Sequence, residues 1–232
     1  MQEDVGTAIA VLDELEADIE RNASLTQKAY KRLEELIVTL ALPPGEVLSE
    51  LTLSQRLKIG RTPVREALHR LCREGLVIIL ARRGVVVSEL DIAKQLRLLE
   101  VRRELERLMA TLAAKRATKS ERAAFRVLAD GMRSVAVSGD ELQFMRLDRQ
   151  VNLLLCRASR NEYVADAMTL THGLSRRFWF KHHNIAEELG LCATLHANLM
   201  DALASGCEEE AVSASDDLMD YIEQFTRSTL DK

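Results

Sequence analysis

PPGEVLSELTLSQRLKIGRTPVREALHRLCREGLV at residues 43–77, followed by RRGVVV at residues 82–87, is the part of the chain whose pattern decides the fold. Ser49 is a helix N-cap, and Leu53 and Leu57 then fall on one face of a short helix that stops near Lys58 to Gly60. A tight turn follows, and Thr62 and Pro63 open another helix, since first-turn amides have no intrahelical acceptor and Pro loses nothing there. That helix runs to Glu74 and is halted by Gly75. Upstream, a helix from about Thr26 to Ala41 turns Ala29, Leu33, Leu36, Ile37 and Leu40 inward and ends at ALPPGE. Downstream, LVIIL and VVVSE are short β-rich runs separated by Ala81, Arg82, Arg83 and Gly84, the pattern of a two-stranded hairpin with a basic tip. Helix, helix, turn, helix and hairpin make a winged helix-turn-helix over residues 25–90.

Wound at 100° per residue, the helix after the turn places Val64, Ala67, Leu68 and Leu71 on one face and Thr62, Arg65, Glu66, His69 and Arg73 on the other. The apolar face buries and the polar face can read a DNA groove. An Arg near the start of such a helix reaches guanine O6 and N7 with two parallel hydrogen bonds, so Arg61 and Arg65 are the base-contact candidates, with Thr62 and first-turn amides on a phosphate. Arg82 and Arg83 at the hairpin tip would add positive charge beside the minor groove or flanking phosphates.

The surrounding chain agrees with that assignment. Net charge is −4, yet residues 22–90 carry eleven Lys or Arg against seven acids, a basic segment inside an acidic protein. Leu, Ala, Glu and Arg abound while Pro numbers three and aromatics 4%, which favours a mainly α chain. Cys72, Cys156, Cys192 and Cys207 are far apart and read as free thiols rather than zinc ligands or disulfides. No apolar stretch is long enough to span a membrane, and the acidic start is unlike a signal peptide, so a cytoplasmic protein is expected.

Residues 1–24 form an extension whose segment 7–20 spaces Ile9, Leu12, Leu15 and Ile19 as one face of an amphipathic helix. From Asp91 to the end, residues 91–232 are helical almost throughout, as five or six helices of bundle length. Within them His172, Arg176, Arg177, Trp179, Lys181, His182 and His183 cluster; Phe178 and Trp179 are expected to pack, with the bases solvated or at a pocket mouth.

The residue 43–87 stretch closely resembles the GntR family of bacterial regulators, through the PPG turn, the LSE helix start, RTPVREAL, EGLV and the RRG wing. The resemblance implies DNA contacts at Arg61, Thr62, Pro63 and Arg65, and at the wing residues Arg82, Arg83 and Gly84. Two positions depart from the family pattern. Gly60 stands where members commonly have Ser or Thr, and Leu51 where many carry a DNA-contacting Arg. The helical part resembles the FCD effector-binding domain of the FadR-type branch, through LEVRRELERLMATLAAKRAT, GDELQFMRLDRQVNLLLCRASRNEYV and LHANLMDALASGCEEEA.

In many relatives that domain holds a divalent metal through an Asp, a His one turn later and two further His. Here Asp148 keeps the first position, Asn152 replaces the second, His196 matches the third, and the fourth falls near Leu218 or Tyr221. Losing imidazoles weakens a site for zinc or nickel, and the alternative is a hydrogen-bonded polar network. Arg102 matches a cavity Arg of the family and would hold a carboxylate in a bidentate pair; the competing reading is a surface Arg bonded to Glu106 one turn on. Arg102, Asp148, Asn152 and His196 are therefore the effector candidates.

The resulting expectation is a homodimeric regulator that binds double-stranded DNA and senses a small organic acid. The competing classes are an effector-independent DNA binder and a metal-dependent enzyme. The enzyme reading lacks an activated nucleophile and a complete ligand set.

Overall fold

The computed structural model describes residues 2–21, 23–80, 84–182 and 187–229, and these are mostly helical. They form two compact units, Glu20–Gln95 with Met168–His182, and the remainder of the chain.

In the first unit, helix α2 (Leu25–Val38) starts from a capping box in which the Ser24 hydroxyl accepts from the Gln27 amide and the Gln27 side chain accepts from the Ser24 amide. Strand β1 (Val47–Leu48) leads to α3 (Glu50–Leu57), capped by Ser49, whose hydroxyl accepts from the Thr52 amide. Lys58 ends α3 in the left-handed region at φ 55°. Helix α4 (Arg61–Arg73) follows and packs on α2 and α3, with Ala29, Leu33, Ile37, Leu53, Leu57, Val64, Leu68 and Leu71 in one buried core.

Strands β2 (Val77–Leu80) and β3 (Gly84–Val87) pair antiparallel, but the sheet has three strands, ordered β1-β3-β2, where a two-stranded hairpin was expected. Val47 faces Val86 and Leu48 faces Val85. Two further bonds, Gly45 N to Val87 O and Val87 N to Glu46 O, both 3.0 Å, continue this ladder into the PPG turn. Gly45 at φ +80° gives that turn its shape, a conformation side-chain-bearing residues resist. A two-residue strand is too short to show alternation, so nothing in the pattern marked it.

A three-residue network ties α2 to α4. The Tyr30 hydroxyl donates to Glu74 at 2.8 Å, Arg70 Nε donates to the other Glu74 oxygen at 2.9 Å, and the Arg70 guanidinium lies 3.7 Å from the centre of the Tyr30 ring. Burial, then the Glu34 and Glu74 carboxylates, push the Tyr30 hydroxyl far above its ordinary pKa and keep it a donor. Tyr30→Phe removes one charge-assisted bond at a buried carboxylate and should cost about 1.5 kcal/mol in urea unfolding; an unchanged midpoint would mean Arg70 alone satisfies Glu74.

Helix α8 (Glu162–His182) contributes its second half to this unit. Arg177 is 1% exposed; its Nη1 donates to the Ser88 carbonyl and its Nη2 to the Ser88 hydroxyl, each 3.0 Å, while that hydroxyl donates to Gly75 O at 2.7 Å. Burial pushes its pKa down to about 10, partly offset by Glu89, so it remains a cation at neutral pH. This corrects the expectation that the basic cluster is solvated: Arg177 is a core residue pinning the end of β3. Gly173 sits so close to Leu76 that a Cβ would lie 2.8 Å from its Cδ1.

In the second unit are α1 (Gln2–Arg21), α5 (Ile92–Arg116), α6 (Lys119–Ser138), α7 (Glu141–Ser159), α9 (Glu187–Ser205) and α10 (Glu208–Ser228). Helix α6 packs along α9 and α7, and α9 against α10, around Phe125, Leu128, Met132, Leu154, Met200 and Leu203. Helix α1 buries Ala8, Val11 and Leu12, whereas Ile9, expected inward, is 47% exposed. Leu12 is buried as expected, and the packing face is shifted from Ile9 toward Ala8 and Val11. Glu14 pairs with Arg157 at 3.2 Å. Among the described residues no helix is long and apolar enough to cross a membrane.

Candidate nucleic-acid interface and buried polar cluster

Helix α4 divides as its periodicity requires. Val64, Ala67, Leu68 and Leu71 are buried, and Arg61, Thr62, Arg65, Glu66, His69 and Arg73 are exposed, with Pro63 intermediate. Its N-cap is Gly60, which has no side chain to accept a first-turn amide, so those donors face outward and suit a phosphate. Gly84 opens β3 at φ +88°, a backbone conformation that favours glycine. Arg82 and Arg83 lie outside the described residues. Leu51, at a position where an Arg was the family expectation, is 54% exposed on α3.

The outward cations are not independent. Arg65 donates from Nε and Nη2 to the two carboxylate oxygens of Glu50, both at 2.8 Å, and Arg61 Nη2 lies 3.7 Å from the same carboxylate. The hydrogen bond from Arg65 holds the Glu50 carboxyl below the usual range despite a small opposing effect of burial. Sequence reasoning missed Glu50, because its partner is fifteen residues away on another helix. The other acid of the α4 face, Glu66, accepts from the Thr26 hydroxyl at 2.5 Å.

In the helical unit Asp148, Asn152 and His196 do come together. Asn152 Nδ2 donates to the Asp148 carbonyl at 2.9 Å and to its Oδ1 at 3.2 Å, and His196 Nε2 is 3.6 Å from that Oδ1. On its other side the imidazole Nδ1 meets the Cys192 carbonyl at 2.8 Å, and Phe144 stands edge-on at 5.5 Å. Burial opposes charge on His196, but Cys192 and the Asp148 carboxylate outweigh it and set its pKa well above the ordinary histidine value.

These donors do not fit a divalent ion. Asn152 turns its amide nitrogen toward Asp148, Leu218 is buried hydrocarbon, and the Tyr221 hydroxyl donates to Glu188 O at 2.8 Å. One carboxylate and one imidazole remain, fewer than a zinc site requires, and among the described residues no three His, Cys, Asp or Glu side chains are grouped to hold a metal.

Arg102 donates from Nε and Nη2 to Glu106 Oε1 at 3.0 and 2.9 Å, and both side chains are about a tenth exposed. It is an i, i+4 pair, but an interior one rather than a surface one. Burial and then Glu106 push the nearby Cys156 thiol up to about 11, so it stays protonated. All four cysteines are free.

Two family models match the chain, "Bacterial regulatory proteins, gntR family" over residues 25–87 and the FCD domain over residues 97–221. The Nta operon transcriptional regulator of Aminobacter aminovorans is 30% identical over 179 residues, 77% of this chain and 83% of that protein. Among solved structures, E. coli McbR/YncC matches with a TM-score of 0.76 at 22% identity, covering 90% of this chain and 99% of that one. A putative transcriptional regulator GntR from Rhodococcus sp. RHA1 matches at 0.69 and 23% identity, covering 89% and 99%. At such identities the two structures speak for the fold.

Proposed function

Since the chain belongs to the gntR family of bacterial regulatory proteins and carries that family's FCD domain, we propose that it is a ligand-responsive regulator reading operator DNA through α4. The observation that carries this reading is the exposed row Arg61, Thr62 and Arg65 at the start of a helix whose opposite face is buried. Arg61 and Arg65 would contact guanines in the major groove, Thr62 with Pro63 and the uncapped amides would sit on the backbone, and the wing from Arg82 to Gly84 would lie alongside. The protein works as a homodimer whose two-fold axis matches a near-palindromic operator. The test is selection: full-length protein should enrich a duplex from a randomised pool and bind it at least a thousandfold more tightly than the unselected pool at physiological salt. Equal binding of the two removes the reading.

The effector is a small organic acid whose carboxylate is received by Arg102 and His196, two nitrogen donors in the interior of the helical unit. A second reading has its own support: both side chains are already paired, with Glu106 and Asp148, which is what an effector-blind bundle would contain. Titrating mono- and dicarboxylates separates the two. An effector at a hundred times its Kd raises native stability by about 2.7 kcal/mol and, being coupled to DNA binding, changes affinity for the selected duplex. A series that moves neither quantity supports the effector-blind reading.

A further inference from the structure

The recognition surface carries a half-buried acid among its cations, and a carboxylate facing a polyanion is costly unless it does something there. Arg65 has five N–H donors in a planar fork, and Glu50 takes one from Nε and one from Nη2, along a single edge of the guanidinium. What that pairing leaves is the end-on edge, made of one hydrogen of Nη1 and the second of Nη2, and the remaining hydrogen of Nη1. That edge can donate to guanine O6 and N7 side by side. A bidentate pair also fixes the plane of the guanidinium, which an unpaired Arg on a helix surface would sample over many rotamers. The same carboxylate is 3.7 Å from Arg61 Nη2, so one acid touches both base-contact candidates. It also leaves this patch with a net charge one unit lower than the arginines alone would give, which weakens attraction to phosphate without affecting contacts to bases.

We propose that Glu50 is a specificity-determining positioning residue of the DNA interface, which orients Arg65 toward a guanine and holds down binding to DNA in general. The inference rests on the DNA-reading function given above. Arg65, held at its side edge, contributes most where a guanine accepts its free edge. With Glu50 neutralised, Arg65 turns to the nearest phosphate instead, and discrimination falls while general affinity rises. Leu51, next to Glu50 and bearing no charge, leaves the acid no competing cation at that position.

The experiment uses full-length protein, the duplex that the wild-type chain selects from a randomised pool, and the unselected pool. Glu50→Gln keeps the shape and removes the charge. Its affinity for the pool should rise about twofold, its preference for the selected duplex should fall about fivefold, and its salt dependence on the pool should steepen by about one counterion. Replacing single guanines by 7-deazaguanine, which lacks the N7 acceptor, should weaken the wild type at one position per half-site; that sensitivity should fade in Glu50→Gln. Glu50→Asp, charged but one methylene shorter, should keep the low affinity for the pool. If Glu50→Gln keeps the wild-type preference and the wild-type 7-deazaguanine profile, the proposal is wrong. If selected and pool affinity fall together along with the melting temperature, Glu50 is a structural helix-start residue and the proposal is equally wrong. If the wild-type chain selects no duplex at all, it is the DNA-reading function that fails.

Discussion

Gly206→Ala is expected to lower stability by about 3 to 4 kcal/mol, near 10 °C in melting temperature for a chain of this size. Gly206 joins α9 to α10 at φ +81°, and a Cβ there would lie 1.7 Å from Arg122 Nη1. The backbone conformation alone costs an L-residue about 1 to 2 kcal/mol. The rest comes from Arg122, whose guanidinium cannot simply swing aside. It donates to Ala114 O at 2.6 Å and Ala117 O at 3.3 Å at the end of α5, and to Leu203 O at 3.5 Å near the end of α9. Displacing it strips the last carbonyls of two helices of a charged donor, about 1.5 to 3 kcal/mol. A double-mutant cycle separates the parts: with Arg122→Ala already present, Gly206→Ala should cost only the backbone share. A single Gly206→Ala that melts within 2 °C of the parent would show that the junction accommodates a side chain.

Arg65→Ala should abolish most of the preference for the selected operator, about thirtyfold in affinity per half-site, the scale of one bidentate guanine contact. Its effect on folding should be negligible, because the Arg65 side chain is 55% exposed and an ion pair in that setting adds little. Fluorescence anisotropy on the selected duplex and on the pool, with thermal unfolding alongside, distinguishes the cases. The loss should be confined to the selected duplex and move the pool affinity only slightly. Uniform weakening on both would place Arg65 on the DNA backbone instead.

The winged-helix elements were legible because each is announced locally. A helix face needs only the spacing of Val64, Ala67, Leu68 and Leu71, and its limits need only Pro63 and Gly75. What stayed hidden depends on residues distant in sequence. The two residues of β1 have no periodicity of their own and become a strand only because Val85 and Val86 lie beside them. Arg177 looks solvated within a basic run, and only Ser88, 89 positions earlier, makes it an interior residue. Glu50 reads as a helix-start acid until α4 brings Arg65 against it. The metal positions Asp148, Asn152 and His196 were identified from family resemblance, and of the two readings they allowed the arrangement is the polar network, since the amide that stands in place of an imidazole donates to the Asp148 carboxylate.

The buried guanidinium of Arg177 has a practical corollary for how this protein can be cut and recombined. A fragment that stops at residue 95 would carry α2 to α4 and all three strands of the DNA-reading half, but it would lack Met168–His182. Ser88 would lose the cation that bonds it, and Leu76 would face water where Gly173 now covers it. Such a truncation should express as an aggregation-prone or loosely packed species. A chimaera that grafts this reading head onto a foreign sensor would need to transplant two separate stretches of chain, because the physical module is discontinuous in the gene.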